Sequence, residues 1–386
     1  MKISIYALHL SFGGVEKYVA TLANMLCTEH DVEIVSTYKI DPVPAFPIDE
    51  RVKITYLMDD LKPNKKELKD AIKAKNVPAI LREGMKAVKV LLKKKSVNVA
   101  SLKGCDADVI ISTRAFHNQL IGKYAPAGAV KITGEHNHHN GNKEYIDTVI
   151  SSCKGFDYFI PISKELCDFY RAPMKDMGVE TEYIRFCIDK NEEYTEPALD
   201  SSCLVSVGRL SPEKGADDLV RVFARIAEKN PLAHLNIVGD GADYGKVKEL
   251  VSSLGLEDKV TLHGFRDKKY IYSLLPKNAL YLMTSHTESF GLVLLEAMSC
   301  GLPCIAFDSA QGAHEIIENG KNGYLIKNRS IETMADEVCR LLSDKEELHR
   351  LSLGALNTAD DFSYEKTKAA WLDLMNKIEK EKGRGK

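Results

Sequence analysis

One pattern constrains the fold of this chain more than any other: strand, turn and helix follow one another from end to end. Residues 2–7 read as an alternating strand and 8–14 as a loop. A helix starts near Val15, with Val15, Val19, Leu22 and Leu26 on one face. Further strands are predicted at 31–37, 52–57, 109–112, 130–133, 158–162 and 182–184, with helical stretches between most of them. A strand that returns in the same direction needs a long crossover, usually a helix, so repetition of this unit builds a parallel sheet.

The rhythm pauses once, in the polar stretch 187–202 around Pro197, and then restarts. Strands are predicted at 203–207, 233–238, 260–263, 279–284, 303–307 and 323–326. Helices are predicted at 216–228, 244–254, 292–299, 331–343 and 364–380, with a turn or helix at 313–318. The reading is an α/β chain of two Rossmann-like domains, 1–186 and 203–362, joined by a linker at 187–202. Residues 363–386 form a closing helix, expected to cross back onto the first half, and a basic tail. Two such domains face each other across a cleft between the carboxyl ends of their sheets, where open α/β folds bind ligands. A length of 386 residues fits two cores better than one.

Composition narrows the class. Hydrophobic residues make up 44% and charged residues 28%, as in soluble globular proteins. No apolar run approaches the ~18 residues of a membrane span, and the alternating N-terminus does not read as a signal peptide. Nine scattered cysteines, an odd number, read as free thiols of a reducing compartment, and Cys300 and Cys304 lack the spaced partners of a zinc site. The expected location is the cytoplasm. Gly13-Gly14 lacks the Gly-x-Gly-x-x-Gly spacing of a dinucleotide fingerprint, so a simple NAD enzyme is not indicated.

Segment 62–103 breaks the pattern. It holds thirteen Lys and Arg against Glu67, Asp70 and Glu83, a net charge of +10. Within it Leu81, Met85, Val88 and Leu92 make a helical apolar stripe. Two readings fit: a basic amphipathic helix on an anionic membrane at the inner face of the plasma membrane, or a surface helix whose stripe packs on its own domain. With no aromatic residue for base stacking, nucleic acid is not the expected partner.

Chemistry-bearing residues concentrate after the strands of the second half. In 286–298, Glu288 precedes a helix and Glu296 lies on it. The apolar neighbours of Glu296 predict a buried helix, in which a carboxylate needs donors: sugar hydroxyls, or a structural salt bridge. Ser289-Phe290-Gly291 opens that helix and leaves backbone N–H groups for a phosphate. In Gly208-Arg209-Leu210-Ser211-Pro212-Glu213-Lys214-Gly215, Arg209 suits a planar fork onto diphosphate oxygens and Lys214 a point charge beside them, although either is also an ordinary surface charge. Gly239-Asp240-Gly241 and Gly264-Phe265 are loops at the same sheet edge, able to hold a base through backbone groups.

In this order and spacing, the Gly208-Arg209 and Glu213-Lys214-Gly215 loop, Gly239-Asp240-Gly241, Gly264-Phe265 and two glutamates eight apart resemble glycosyltransferase family 4, the retaining sugar transferases of the GT-B fold. The resemblance continues through Gly301-Leu302-Pro303, Glu315 and Gly320-Lys321-Asn322-Gly323. In the first half it rests on Gly13-Gly14-Val15-Glu16, His136 and Ser163.

The resemblance implies a transferase that moves a hexose or N-acetylhexosamine from a nucleotide sugar, commonly a UDP-sugar, to a glycan or lipid-linked acceptor, as in bacterial surface polysaccharide assembly. By that likeness Glu296 holds the ribose hydroxyls, and Glu288 contacts the transferred sugar with Phe290, Gly291 and Leu292 beside it. Arg209 and Lys214 neutralise the diphosphate, Gly208, Gly239, Gly264 and Phe265 line the nucleotide, Gly14 approaches the diphosphate, and His136 sits by the reacting carbon. Glu135-His136-Asn137-His138-His139-Asn140 also has the residue types of a metal site, but the resemblance implies no metal and no cofactor, since protein cations serve where other transferases use Mg²⁺. The rival readings are a sugar-nucleotide epimerase or glucan phosphorylase of the same fold, and a non-catalytic nucleotide-sugar-binding membrane scaffold.

Overall fold

The computed structural model describes residues 1–188, 194–288 and 290–384. Two compact units result, one of Met1–Ile184 with Lys368–Lys386 and the other of Arg185–Thr367.

The first unit is a seven-stranded parallel sheet in the order β3-β2-β1-β4-β5-β6-β7. Its strands are β1 (Lys2–Ala7), β2 (Asp31–Tyr38), β3 (Lys53–Met58), β4 (Val109–Ser112), β5 (Val130–Thr133), β6 (Tyr158–Phe159) and β7 (Glu180–Thr181). The central strands are mostly apolar because helices cover both faces; Ile3, Ile5, Val109, Ile110 and Ile111 are buried. The last strand falls two residues before the predicted 182–184, since β6 is only two residues long and pairs Tyr158 with Glu180 and Phe159 with Thr181.

The second unit is a six-stranded parallel sheet in the order β10-β9-β8-β11-β12-β13. Its strands are β8 (Cys203–Val207), β9 (His234–Val238), β10 (Val260–Leu262), β11 (Leu280–Met283), β12 (Cys304–Phe307) and β13 (Gly323–Ile326). Helix Ala216–Lys229 shows why the sequence packs as it does: Leu219, Val220, Val222, Phe223 and Ile226 are buried on one side, and Asp217 and Glu228 face out. Helix Lys345–Asp361, absent from the predicted elements, starts at Asp344, whose side chain accepts from Glu347 N–H.

Of the expected linker 187–202, residues 189–193 lie outside the described residues; 194–202 are part of the second unit, where Pro197 packs against Gly301. The closing helix Tyr364–Arg384 joins the first unit from Lys368 onward. There Trp371 is buried, Lys377 binds Glu180 at 2.7 Å and Glu182 at 3.2 Å, and Lys382 donates to the Asp108 carbonyl at 2.9 Å. Residues 385 and 386 of the expected basic tail lie outside the described residues. Among the described residues no helix is long and apolar enough to cross a membrane.

Segment 62–103 folds as helices Lys65–Lys73 and Val77–Lys103. The packed-stripe alternative does not hold, because Leu81, Met85, Val88 and Leu92 are all exposed. The long helix turns Val90, Asn98 and Leu102 inward instead: Val90 packs with Tyr38 and Met58, and Asn98 Oδ1 accepts from Thr37.

Candidate functional site

The order β10-β9-β8-β11-β12-β13 places a topological switch between β8 and β11. The loops leaving these two strands diverge and open a crevice at the carboxyl edge of the sheet. They are the loops 208–215 and 284–291, which carry the cationic cluster and the first of the two glutamates. Hydrogen bonds tie their bases together: the Thr284 side-chain Oγ1 donates to the Gly215 carbonyl at 2.8 Å, and His286 N–H donates to the Glu213 carbonyl at 2.8 Å. Gly215 has φ 61°, and a Cβ there would stand 2.3 Å from the Thr284 carbonyl oxygen, so the contact excludes any side chain.

Across this crevice Lys214 Nζ lies 2.5 Å from Glu288 Oε2, with both side chains largely withdrawn from water. Arg209 extends from the same loop; its exposed guanidinium takes part in no hydrogen bond or ion pair among the described residues. The Glu288 carbonyl accepts from Gly312 N–H at 2.9 Å, which pins the loop to the segment after β12. A Cβ on Gly312 would meet the Phe290 backbone at 2.4 Å, so that position too admits only glycine.

Ser289 lies outside the described residues. Helix Leu292–Ser299 is entered through Gly291, whose left-handed backbone at φ 92° caps it with no side-chain bond. Its first N–H groups are therefore not taken up by a capping side chain. The expectation of a buried helix holds on one side only. Leu294, Leu295, Ala297 and Met298 are buried, whereas Leu292, Val293, Glu296 and Ser299 are half-exposed. Glu296 thus reaches a partly solvated face one turn beyond Leu292, since residues four apart share a helix face. The Phe290 ring is buried between Phe186 and Phe362, at centroid distances of 6.4 and 5.8 Å. That ring fixes the loop from below, which leaves only the Phe290 main chain for a ligand.

The glycine-rich loops interlock in the same way. Gly208 N–H donates to the Val238 carbonyl at 2.9 Å, Leu210 N–H to the Asp240 carbonyl at 3.0 Å, and Gly239 N–H to the Gly264 carbonyl at 2.9 Å. Cβ atoms on Gly239 and Gly241 would fall 1.8 and 2.2 Å from the Gly208 and Leu210 carbonyls. The loops after β8, β9 and β10 therefore form one main-chain wall, with Phe265 exposed at its end.

Arg329 was not foreseen from the sequence. It follows β13 in a left-handed conformation, φ 48°, after Asn328 at φ 57°. Its guanidinium donates to the Ser285 carbonyl at 2.9 Å, Ser309 Oγ at 2.6 Å, the Thr284 carbonyl at 2.9 Å and Asp218 at 2.5 Å, and stacks 4.6 Å from the Phe307 ring centroid. It clasps the start of the Glu288 loop. The available signal was its position, a cation just past the carboxyl end of a strand, as for Arg209.

In the first unit the switch falls between β1 and β4. Helix Gly14–Leu26 begins there, and a Cβ on Gly14 would meet nothing within 4 Å, so its backbone stands open. Glu16 is buried beneath it, 2.6 Å from Arg114 and 3.7 Å from His9 Nδ1. His136 follows β5; its ring packs 4.5 Å from that of Tyr18, and its buried Nε2 has no hydrogen-bond partner among the described residues. Burial, with the nearby Arg114 charge, lowers its pKa from the usual 6.5 to about 4, so the imidazole is neutral at pH 7. Ser163 Oγ caps helix Lys164–Asp176 by accepting from Leu166 N–H at 3.2 Å. The polar run 135–140 is engaged locally: Glu135 accepts from His136 and Asn137 N–H, and His138 bonds Asn140. No group of three or more His, Cys, Asp or Glu is placed to hold a metal among the described residues.

Residues 188–357, which contain this crevice, match the family model described as glycosyl transferases group 1. This stretch is a glycosyltransferase group 1 domain. Over 375 residues the chain is 25% identical to an exopolysaccharide phosphotransferase of Streptomyces coelicolor, covering 95% of this chain and 39% of that protein. Over 147 residues it is 40% identical to the N-acetyl-alpha-D-glucosaminyl L-malate synthase of Bacillus anthracis, covering 38% of this chain and 37% of the relative. The matches thus span less than half the length of either curated relative. Among solved structures, a mutant of S. aureus TarM in complex with fondaparinux, alpha-GlcNAc-glycerol and UDP superposes with a TM-score of 0.73 at 16% identity, covering 97% of this chain and 100% of that one. The fold is that of the GT-B glycosyltransferases, two parallel-sheet α/β domains.

Proposed function

We propose that this chain is a retaining glycosyltransferase that takes a hexose or N-acetylhexosamine from a UDP-sugar and passes it to a glycan or lipid-linked acceptor in bacterial surface polysaccharide assembly. The observation that carries the reading is the crevice at the β8/β11 switch. There one cation, Arg209, with no ion pair among the described residues, stands beside a second, Lys214, already paired to the carboxylate Glu288, and Glu296 follows on the next helix. Two cations suit a diphosphate. Two carboxylates eight residues apart suit two sets of hydroxyls, with Glu288 on the sugar and Glu296 on the ribose. The main-chain wall of Gly208, Gly239 and Gly264, ending at exposed Phe265, offers backbone groups and an aromatic face to a base.

Breaking the bond from the anomeric carbon to the diphosphate puts negative charge on the leaving oxygen and oxocarbenium character on the sugar. Arg209 and Lys214 act on the first of these, with the uncapped N–H groups after Gly291. Fixed donors of this kind lower a barrier by about 3–4 kcal/mol each. The acceptor hydroxyl attacks from the face the phosphate leaves, and the leaving phosphate oxygen takes its proton, so no covalent glycosyl-enzyme forms. Glu288 binds the sugar and is not the nucleophile. In the first unit, His136 is neutral and offers a hydrogen bond without adding charge, and the backbone of Gly14 stands open. Protein cations take the place of a divalent metal.

The test is a panel of UDP-sugars incubated with the protein and candidate acceptors, with product configuration read by NMR and the assay repeated in EDTA. A product that keeps the donor's anomeric configuration and forms equally well in EDTA supports the reading. Inversion, or a glycosyl adduct trapped on Glu288, refutes the mechanism. Nucleotide-sugar binding without turnover of any acceptor favours the scaffold alternative.

A further inference from the structure

The face of helix Val77–Lys103 that points away from the first unit is not accounted for by the transfer chemistry. Leu81, Met85, Val88 and Leu92 are 63%, 70%, 57% and 67% exposed, and Val77 and Leu91 stand out beside them. Steps of four, four, three and four residues from Val77 to Leu92 keep these side chains on one stripe. Contiguous apolar surface of this kind, rimmed by charge, marks an interaction site in a folded protein. The opposite face already holds the helix in place: Val90 and Leu102 are buried, Glu83 bonds Asn64 at 2.9 Å, and the Lys94 amine sits 3.4 Å over the Phe116 ring. The stripe is therefore not a core face waiting for the rest of its own domain.

Charge selects the occupant. Arg82, Lys86 and Lys89 are exposed along one border of the stripe, Lys95 lies at its end, and helix Lys65–Lys73 adds exposed Lys65, Lys66, Lys69 and Lys73. Few of these cations are neutralised. Lys93 pairs with Asp60 and Arg82 with Glu83, while Lys65, Lys66, Lys86, Lys89 and Lys95 make no ion pair among the described residues. A second copy of the chain would bring a like-charged surface against this one, which is unfavourable. An anionic lipid surface supplies both what the stripe needs and what its border needs: acyl-chain boundary for the leucines, headgroup charge for the lysines. A 27-residue helix, about 40 Å long, provides a long line of contact without spanning the bilayer.

We propose that helix Val77–Lys103, with the basic helix before it, is an interfacial membrane-docking element that lies in the plane of an anionic bilayer with the Leu81–Met85–Val88–Leu92 stripe inserted. The inference does not depend on the sugar-transfer reading, and its test uses no activity.

The full chain is sedimented with vesicles of one-third phosphatidylglycerol in phosphatidylcholine and with pure phosphatidylcholine vesicles, across a range of NaCl. Binding is expected to the anionic vesicles, at least tenfold stronger than to the zwitterionic ones, and to fall with salt as the screening length shortens. Near an anionic surface each basic residue contributes roughly fivefold to partition, so Lys86→Glu with Lys89→Glu should weaken binding more than tenfold. The triple variant Leu81→Gln, Met85→Gln, Leu92→Gln should do the same while the thermal unfolding midpoint stays put, because all three side chains are already exposed. Equal partition into both vesicle types, no partition into either, or partition untouched by these variants would overturn the proposal. So would a concentration-dependent dimer that the triple variant dissolves, since it would assign the stripe to a second copy.

Discussion

Lys214 Nζ and Glu288 Oε2, 2.5 Å apart, join the loop after β8 to the loop after β11 at the point where the sheet reverses its order. The pair gives a largely buried ammonium a counter-charge. A diphosphate entering it competes with Glu288 for the same cation. Glu288→Gln should therefore bind free UDP severalfold more tightly than the parent protein and yet turn over about a hundredfold more slowly, having lost the charged contact to the sugar proposed for it. Calorimetry with UDP, set beside initial rates with the UDP-sugar, reads both halves.

The two glycines that seat this pair are steric requirements. Gly215→Ala forces a Cβ to within 2.3 Å of the Thr284 carbonyl from a left-handed backbone, and Gly312→Ala to within 2.4 Å of the Phe290 backbone. Each should destabilise the protein by about 1–3 kcal/mol, measured as a lower urea midpoint, and lower kcat/KM by displacing Glu288. Gly245→Ala, where a Cβ meets nothing within 4 Å, is the control and should leave stability unchanged or raise it slightly.

Arg329 holds the Thr284 and Ser285 carbonyls and Asp218 together. Arg329→Met keeps most of the side-chain volume and leaves Asp218 without its partner. The expected loss is about 2–4 kcal/mol, as for other half-buried charge networks broken at one end. Asp218→Asn with Arg329→Met should recover part of it, which a double-mutant cycle in urea unfolding would measure.

His136 supplies a pH prediction. Its folded-state pKa, about 4, lies below the value near 6.5 of an unfolded chain, so the unfolded state binds the proton first. The stability tied to this neutral ring is complete above about pH 6.5 and is lost as pH falls from there toward 4. His136→Asn should flatten stability over that window, and the His136 imidazole resonance should not move between pH 8 and 5.5. His117, buried and lowered to about 3, acts in the same direction and makes the comparison with His136→Asn necessary.

The elements were legible in the sequence because parallel strands buried on both faces are short apolar runs punctuated by glycine; β1, β4, β5, β8 and β13 match their predicted ranges residue for residue. The same pattern could not reveal which cation meets which carboxylate. Lys214 and Glu288 are 74 residues apart and meet only because β8 and β11 are neighbours, which is strand order and not periodicity. Phe290 shows a related limit: next to a site loop, its ring faces the core between two other phenylalanines. Arg329 was missed because its anchoring depends on a left-handed backbone at a non-glycine residue, which composition does not signal. The stripe at Leu81–Leu92 was visible as a periodicity, but its being exposed depends on Val90, Asn98 and Leu102 forming the inward face.

The most direct measurement of the central claim is a calorimetric titration of UDP into the parent protein, Arg209→Ala and Lys214→Ala, with EDTA present. The account predicts saturable one-site binding to the parent, and at least tenfold weaker binding to each variant, about 1.4 kcal/mol or more per cation removed. No binding of UDP or of any other nucleoside diphosphate, or affinity that both variants retain in full, would contradict it.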